Sequence, residues 1–119
     1  MKKEKENIIK SKSFLFSVRI VNLFKFLTQE KKEFVISKQL LRSGTSVGAM
    51  IRESEHAESK ADFIHKLSIA LKEANETEYW LDLLRETDYL NESEYISIQE
   101  NIKEILKLLV SILKTSKQK

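Results

Sequence analysis

Turn-forming residues are nearly absent from this 119-residue chain, which has no proline and two glycines. The glycines, Gly44 and Gly48, are four positions apart inside a run whose apolar residues recur at helical spacing. Sandwiches and barrels of β-strands need glycine and proline at their many tight turns, so neither class suits this sequence. The pattern favours a bundle of long helices joined by short polar connections.

The length fits one domain, and a chain of this size buries roughly 65% of the surface that its unfolded form exposes. There is no cysteine, which excludes disulfides and thiolate metal sites. The most apolar window, FLFSVRIVNLFKFL (14–27), includes Arg19, Asn22 and Lys25, so it is too short and too charged to span a bilayer. No signal peptide is recognisable. We therefore expect a soluble, cytoplasmic protein with no membrane partner.

Four helical segments are separated by polar breaks, which predicts an all-α, antiparallel up-down-up-down four-helix bundle. The predicted helices span residues 13–29, 37–58, 60–87 and 92–115. Ser59 with Asp62, and Asn91 with Glu94, have the spacing of helix-capping pairs. These pairs are expected to begin the third and fourth helices.

Charge is unevenly distributed along the chain, although the net charge is only +3. Residues 1–12, predicted to form a basic flexible segment ahead of the bundle over 13–119, hold five lysines and two glutamates. Residues 102–119 hold five lysines and one glutamate, whereas residues 88–101 hold four acidic residues and no basic one. An up-down-up-down bundle brings both termini to one end, so that end should be basic and the opposite end acidic.

Clustered lysines can neutralise the phosphates of a nucleic acid without reading its base sequence. The predicted binding residues for RNA or DNA are Lys2, Lys3, Lys5, Lys10, Lys12, Lys103, Lys107, Lys114 and Lys117. Lysine-rich ends that serve only solubility remain the alternative.

Helix four carries more apolar residues than the interior of one bundle requires. Its main row is Ile98, Ile102, Ile105, Leu109 and Ile112, which has the alternating spacing of a coiled-coil seam, and a second row runs beside it. We predict that this helix buries a face against another subunit, together with aromatic residues of the first helix. The predicted interface residues are Ile105, Leu106, Leu109, Val110 and Leu113. A broad apolar face inside a monomer is the alternative.

The paired glycines predict a close approach between helix two and a facing helix, such as the aromatic first one. Glycines four positions apart also occur where transmembrane helices pair, but the charged residues Arg42 and Arg52 flank this pair and argue against a membrane helix. A kink at Gly48 is the alternative. Arg42 and Glu53 are about three turns apart and are predicted to form a partly buried ion pair. The structural motif thus comprises Arg42, Gly44, Ser46, Gly48 and Glu53.

Two pairs, Glu53-x-x-His56 and Asp62-x-x-His65, each resemble half of a carboxylate-bridged di-metal site. Further carboxylates are available from Glu73, Glu76 and Glu78. The pairs are only nine residues apart, on either side of a predicted turn, so surface histidines are the simpler interpretation. No nucleophile and base are paired, and GTSVG (44–48) lacks the lysine of a phosphate-binding loop. We predict no enzymatic activity, no cofactor, no metal and no small-molecule substrate, with a di-metal enzyme as the third hypothesis.

Two runs, QLLRSGTSVGAMIRES (39–54) and SKADFIHKLSIALKEANETEYWLDLL (59–84), resemble the 23S rRNA intervening-sequence protein family. The resemblance covers roughly residues 13–113. Its strongest positions are Arg42, Ser46, Ala49, Ile51, Glu53, Ser59, Phe63, Leu67, Ala70 and Glu76. Where the family often reads SIPANIAEG, this chain reads SVGAMIRES (46–54). Gly48 then occupies a proline position, where a helix bends or loses a hydrogen bond, and Met50 replaces an asparagine.

The resemblance implies a small bacterial four-helix bundle that forms a homo-oligomer, often a pentameric ring. Some family members are encoded within insertions in ribosomal RNA genes, and related proteins are accessory subunits of diversity-generating retroelements that bind a reverse transcriptase and nucleic acid. We therefore predict a non-enzymatic homo-oligomeric scaffold, a pentamer, that binds RNA or DNA without sequence specificity. The alternative is a protein-interaction adaptor, such as a polymerase accessory subunit, that does not contact nucleic acid.

Overall fold

The computed structural model describes residues 2–118, apart from the side chain of Lys2, as an elongated bundle with dimensions of 48 × 23 × 19 Å. Its helices are α1 (Lys2–Gln29), α2 (Ile36–Ser54), α3 (Lys60–Glu86) and α4 (Glu92–Lys117). Each helix packs against the next, and α4 packs back against α1. The predicted all-α four-helix bundle is confirmed.

Contacts between helices establish that neighbouring helices run antiparallel. Lys5 Nζ donates to Ser111 Oγ at 2.7 Å, and Arg19 Nη1 donates to Asn101 Oδ1 at the same distance. Residue numbers therefore fall along α4 as they rise along α1. The start of α1 and the end of α4 consequently share one end of the bundle, and the ion pair between Lys10 and Glu55 places the 55–59 connection toward the same end.

The two predicted capping pairs are confirmed. Ser59 Oγ accepts a hydrogen bond from the backbone N–H of Asp62 at 3.0 Å, at the start of α3. Asn91 Oδ1 accepts from the N–H of Glu94 at 2.7 Å, while Glu94 Oε1 accepts from the N–H of Asn91 at 3.1 Å. These bonds satisfy N–H groups that the first helical turn leaves without partners.

Helix α2 begins differently, on a glutamate that precedes it by three residues. The buried carboxylate of Glu33 accepts hydrogen bonds from the N–H groups of Val35, Ile36 and Ser37 at 3.1, 2.9 and 2.6 Å. Burial raises the pKa of Glu33, but these three bonds outweigh burial and hold the pKa below its ordinary value. The 30–35 connection also contains Lys32 with a positive φ of 56°, a conformation that a glycine would adopt at less cost.

The predicted flexible segment over residues 1–12 is wrong for the described residues 2–12, which form the first three turns of α1. No glycine or proline separates them from the rest of the helix, and Ile9 is buried in the core with 1% exposure. Helix α2 ends at Ser54, four residues before its predicted end. The connection that follows leads to Ser59, whose backbone is extended where it caps α3.

The core is a continuous apolar cluster to which all four helices contribute. The side chains with no exposure include Ile20, Leu27, Leu40, Val47, Leu81, Leu84, Ile102 and Leu109. Burial of such a side chain contributes about 1.5–3 kcal/mol. None of the helices within residues 2–118 combines the length and apolar character needed to cross a bilayer.

Candidate functional site

The two glycines lie where α2 approaches α1 most closely. A Cβ atom at Gly44 would lie 2.9 Å from Ile20 Cγ1, and one at Gly48 would lie 2.9 Å from Ser17 Oγ and 3.2 Å from the Ser13 carbonyl oxygen. Helix α2 continues through both positions without a break. The geometry therefore agrees with close packing of α2 against the first helix. Ser46, the motif's hydroxyl, donates to the carbonyl oxygen of Arg42 at 2.7 Å.

The side of α1 that faces away from the bundle is also apolar. Its exposed large apolar side chains are Ile8 (40%), Phe14 (53%), Leu15 (63%), Val18 (45%) and Val21 (36%). Phe14, Val18 and Val21 follow one another at spacings of four and three, so they form a straight row along the helix. We call these five residues the α1 outer face. Beside it, an open groove of about 360 Å³ runs between Phe14 and Ser17 of α1 and Gly48 and Arg52 of α2.

The predicted subunit interface on helix four needs correction. Ile105, Leu109 and Leu113 are buried in this chain's own core, with exposures of 1%, 0% and 6%. Leu106 is half-buried against the same core, and Val110 alone of the five is exposed. Both apolar rows of α4 are largely buried within this single bundle, because α3 and α1 pack against α4 from two sides. Three of the five residues are thus unavailable to a second subunit.

Three of the five predicted basic residues at the start of the chain contact other parts of the bundle. Lys10 pairs with Glu55 and Lys12 with Glu104, each at 3.1 Å, and Lys5 donates to Ser111. Lys3 is exposed, and the side chain of Lys2 lies outside the described part of the molecule. The positive charges of Lys10 and Lys12 are therefore largely compensated by the glutamates with which they pair.

The predicted basic residues of α4 differ from those of α1. Lys103, Lys107, Lys114 and Lys117 are exposed, and no carboxylate of residues 2–118 lies within ion-pairing distance of them. Both lysine groups lie toward the same end of the bundle, as the topology predicts. An open groove of about 590 Å³ between α3 and α4 is bordered by Lys107 and Lys114.

The predicted pair between Arg42 and Glu53 does not form. Arg42 instead reaches across to α3, where it forms ion pairs with Glu73, at 3.0 Å, and with Glu76. Glu53 pairs with Lys66 at 3.2 Å. Eleven helical residues span about 16 Å along the axis, which is more than these two side chains can bridge.

Glu76 is held by two donors. Arg42 and the indole N–H of Trp80, 3.0 Å away, both hydrogen-bond its carboxylate, and in that order they lower the pKa of Glu76. Arg42 is about half exposed, so solvent screens this cluster. The cluster joins α2 to α3 and is a structural link.

The described residues do not assemble the di-metal site that the third hypothesis requires. Within residues 2–118 no three His, Cys, Asp or Glu side chains are grouped so that they could hold a metal ion. His56 and His65 are both exposed. Asp62 Oδ2 accepts from the backbone N–H of Glu58 at 3.1 Å, in the connection before α3.

The chain is similar to a described protein family and to a solved crystal structure. The family model described as 23S rRNA-intervening sequence protein matches residues 5–111. A crystal structure from Bacteroides thetaiotaomicron, described as a protein with unknown function from the S23 ribosomal protein family, is 64% identical in sequence. The match covers 92% of this chain and 98% of that one, with a TM-score of 0.92. No curated protein matches the chain.

Proposed function

The chain belongs to the 23S rRNA-intervening sequence protein family, and from that premise we propose that it is a non-enzymatic, self-associating helical scaffold that binds RNA or DNA without sequence specificity. The proposed assembly is a homopentamer. The observation that carries self-association is the α1 outer face. The unpaired lysines of α4 support nucleic-acid binding.

Helix α1 is apolar on two opposite sides. Phe16, Ile20 and Leu27 are buried in the core, whereas Phe14, Leu15 and Val18 point outward. A helix that is apolar all round is usually buried all round, and contiguous exposed apolar patches mark interaction sites. A second copy of the chain covering the α1 outer face would remove this surface from water.

Helix α4 is a poorer interface than α1. Its exposed large apolar residues, Ile96 and Val110, are fourteen positions apart and form no continuous row. Val110 lies between Lys107 and Lys114, neither of which has a carboxylate partner among the described residues. Like charges brought together at an interface oppose association. The proposed self-association surface is therefore the α1 outer face, to which the first-helix aromatic Phe14 belongs.

The non-enzymatic proposal is supported by how the acidic side chains are used. Glu73 and Glu76 hold Arg42, and Glu53 holds Lys66. A carboxylate that serves as a general base needs a reacting partner within hydrogen-bond reach. Each of these carboxylates has a basic side chain there.

One observation favours a second candidate function, a protein-interaction adaptor. Phe34 and Val35, in the α1–α2 connection, are 58% and 74% exposed. They lie at the end of the bundle opposite Lys114 and Lys117 of α4. Binding through such an apolar tip would be nearly independent of salt, whereas nucleic-acid binding weakens steeply with salt.

Replacing Val18 with glutamate tests the scaffold proposal. A charge placed in the centre of a buried apolar interface costs at least about 2 kcal/mol, which raises the dissociation constant roughly 30-fold. We expect V18E to remain folded, because Val18 is exposed in the single chain. Its mass, measured by light scattering over a dilution series, should fall to that of one chain at concentrations where the wild type stays assembled.

The matched control is Val110→Glu, which changes the same residue type at a similarly exposed position on α4. V110E should keep the wild-type mass. If V110E dissociates and V18E does not, the interface lies on α4 and the proposed surface is wrong.

A further inference from the structure

Four lysines of α4 form a straight row on its outward side. Lys103, Lys107, Lys114 and Lys117 follow at spacings of four, seven and three residues, which repeat the same helix face. The row extends over about 21 Å at 1.5 Å per residue. Val110 fills the remaining position of the row and is exposed.

The charge of this row is uncompensated within the described residues. The nearest glutamate on the same helix that has an ion pair, Glu104, is held by Lys12 at 3.1 Å. Lys10 of α1 is likewise paired, with Glu55. Mobile counterions of the solvent must therefore neutralise the α4 row, and a polyanion that displaces them gains their release entropy.

The row borders the open α3–α4 groove of about 590 Å³. Leu71, Leu106 and Val110 supply an apolar floor, and Asn75 and Ser111 supply polar groups. A duplex offers mainly phosphates to such a surface and would leave the apolar floor uncovered. A single strand offers phosphates to the lysines and, at the same time, base faces that can cover apolar side chains.

We propose that the α3–α4 groove, with the lysine row along its edge, is the binding track for the backbone of single-stranded RNA or DNA. This inference rests on the nucleic-acid binding proposed above and assigns it to α4 instead of the lysines at the start of α1. The lysine row contacts phosphates, which carry no base identity. Of the groove's two neutral polar side chains, Asn75 and Ser111, the second already accepts a hydrogen bond from Lys5. We therefore expect affinity to depend far more on phosphate contacts than on base sequence.

Fluorescence anisotropy tests the track with labelled oligouridine and oligothymidine of about 16 nucleotides, and with a duplex of equal length. If the four lysines neutralise four phosphates of a single strand, the logarithm of the association constant should fall against the logarithm of the salt concentration with a slope of about −2.8. This slope corresponds to a roughly 50-fold loss of affinity between 50 and 200 mM salt. The double variant Lys107→Gln/Lys114→Gln should lose about half of that slope. The matched control, Lys10→Gln/Lys12→Gln, removes the same charge and should keep the wild-type slope.

The outcomes separate this inference from the function on which it rests. If the wild type binds no probe at 50 mM salt, the proposed nucleic-acid binding fails, and the track fails with it. If the wild type binds but the Lys10 and Lys12 variant loses the slope while the Lys107 and Lys114 variant keeps it, the track alone is overturned. Tighter binding of the duplex than of either single strand also overturns it. Circular dichroism of each variant verifies that the fold is intact.

Discussion

Replacing Gly44 with valine is expected to lower the free energy of unfolding by about 3 kcal/mol, at the upper end of overpacking effects. A Cβ atom at this position would lie 2.9, 3.0 and 3.1 Å from three side-chain carbons of Ile20. Ile20 is fully buried and cannot move aside without displacing its own neighbours. Valine's better helix propensity offsets only a few tenths of a kcal/mol.

Urea unfolding followed by circular dichroism measures this loss. Ala49→Val is the matched control, because it introduces the same side chain into the same helix at an exposed position. The A49V substitution should lower the free energy of unfolding by no more than about 0.7 kcal/mol, the range of ordinary helix propensities. Equal stability of G44V and A49V would contradict the tight contact between α1 and α2.

Replacing Glu33 with glutamine is expected to lower the free energy of unfolding by about 2 kcal/mol at pH 7. The substitution removes charged hydrogen bonds and leaves a buried N–H without its acceptor. Both carboxylate oxygens of Glu33 accept bonds, Oε2 from Val35 and Ile36 and Oε1 from Ser37. A glutamine offers one oxygen and one NH₂ group, and the NH₂ group cannot accept. Thermal or urea unfolding at pH 7 measures the loss.

The same variant should show a defined pH dependence. The folded-state pKa of Glu33 lies below its ordinary value of 4.5, so its stabilisation is fully present above that pH. The stabilisation is lost as the pH falls through the lowered pKa, and the difference between wild type and E33Q should shrink accordingly. Glu30→Gln, at an exposed position of the same connection, should change stability by less than about 0.5 kcal/mol. A difference between wild type and E33Q that does not change with pH would contradict the capping role.

Local patterns predicted the fold well where they describe short-range chemistry. The pairs Ser59–Asp62 and Asn91–Glu94 lie within one turn, so their spacing in the sequence was sufficient to place two helix starts. Glu33 escaped prediction because glutamate is not a favoured N-cap residue and acts here from three residues before α2. The lysine content of residues 1–12 obscured the burial of Ile9, which extends α1 to Lys2.

The candidate site was less predictable because it depends on contacts between helices. Spacing placed Leu109 and Leu113 on apolar rows of helix four, but how α1 and α3 pack against that helix determines that both are interior. Arg42 pairs with Glu73 and Glu76 of α3, which are thirty-one and thirty-four residues away in the sequence. Spacing rules relate residues within one helix and therefore could not predict these contacts. The sequence did predict that aromatic residues of the first helix take part in a subunit contact, and Phe14 of the α1 outer face is an exposed aromatic residue of that helix.

Sedimentation equilibrium of the wild-type chain, at concentrations low enough to avoid nonspecific association, tests the central claim most directly. The α1 outer face predicts a mass that is a multiple of the 13.9 kDa chain, with five copies for the proposed ring. A fully helical, cooperatively folding protein that sediments as a single 13.9 kDa chain would contradict the account.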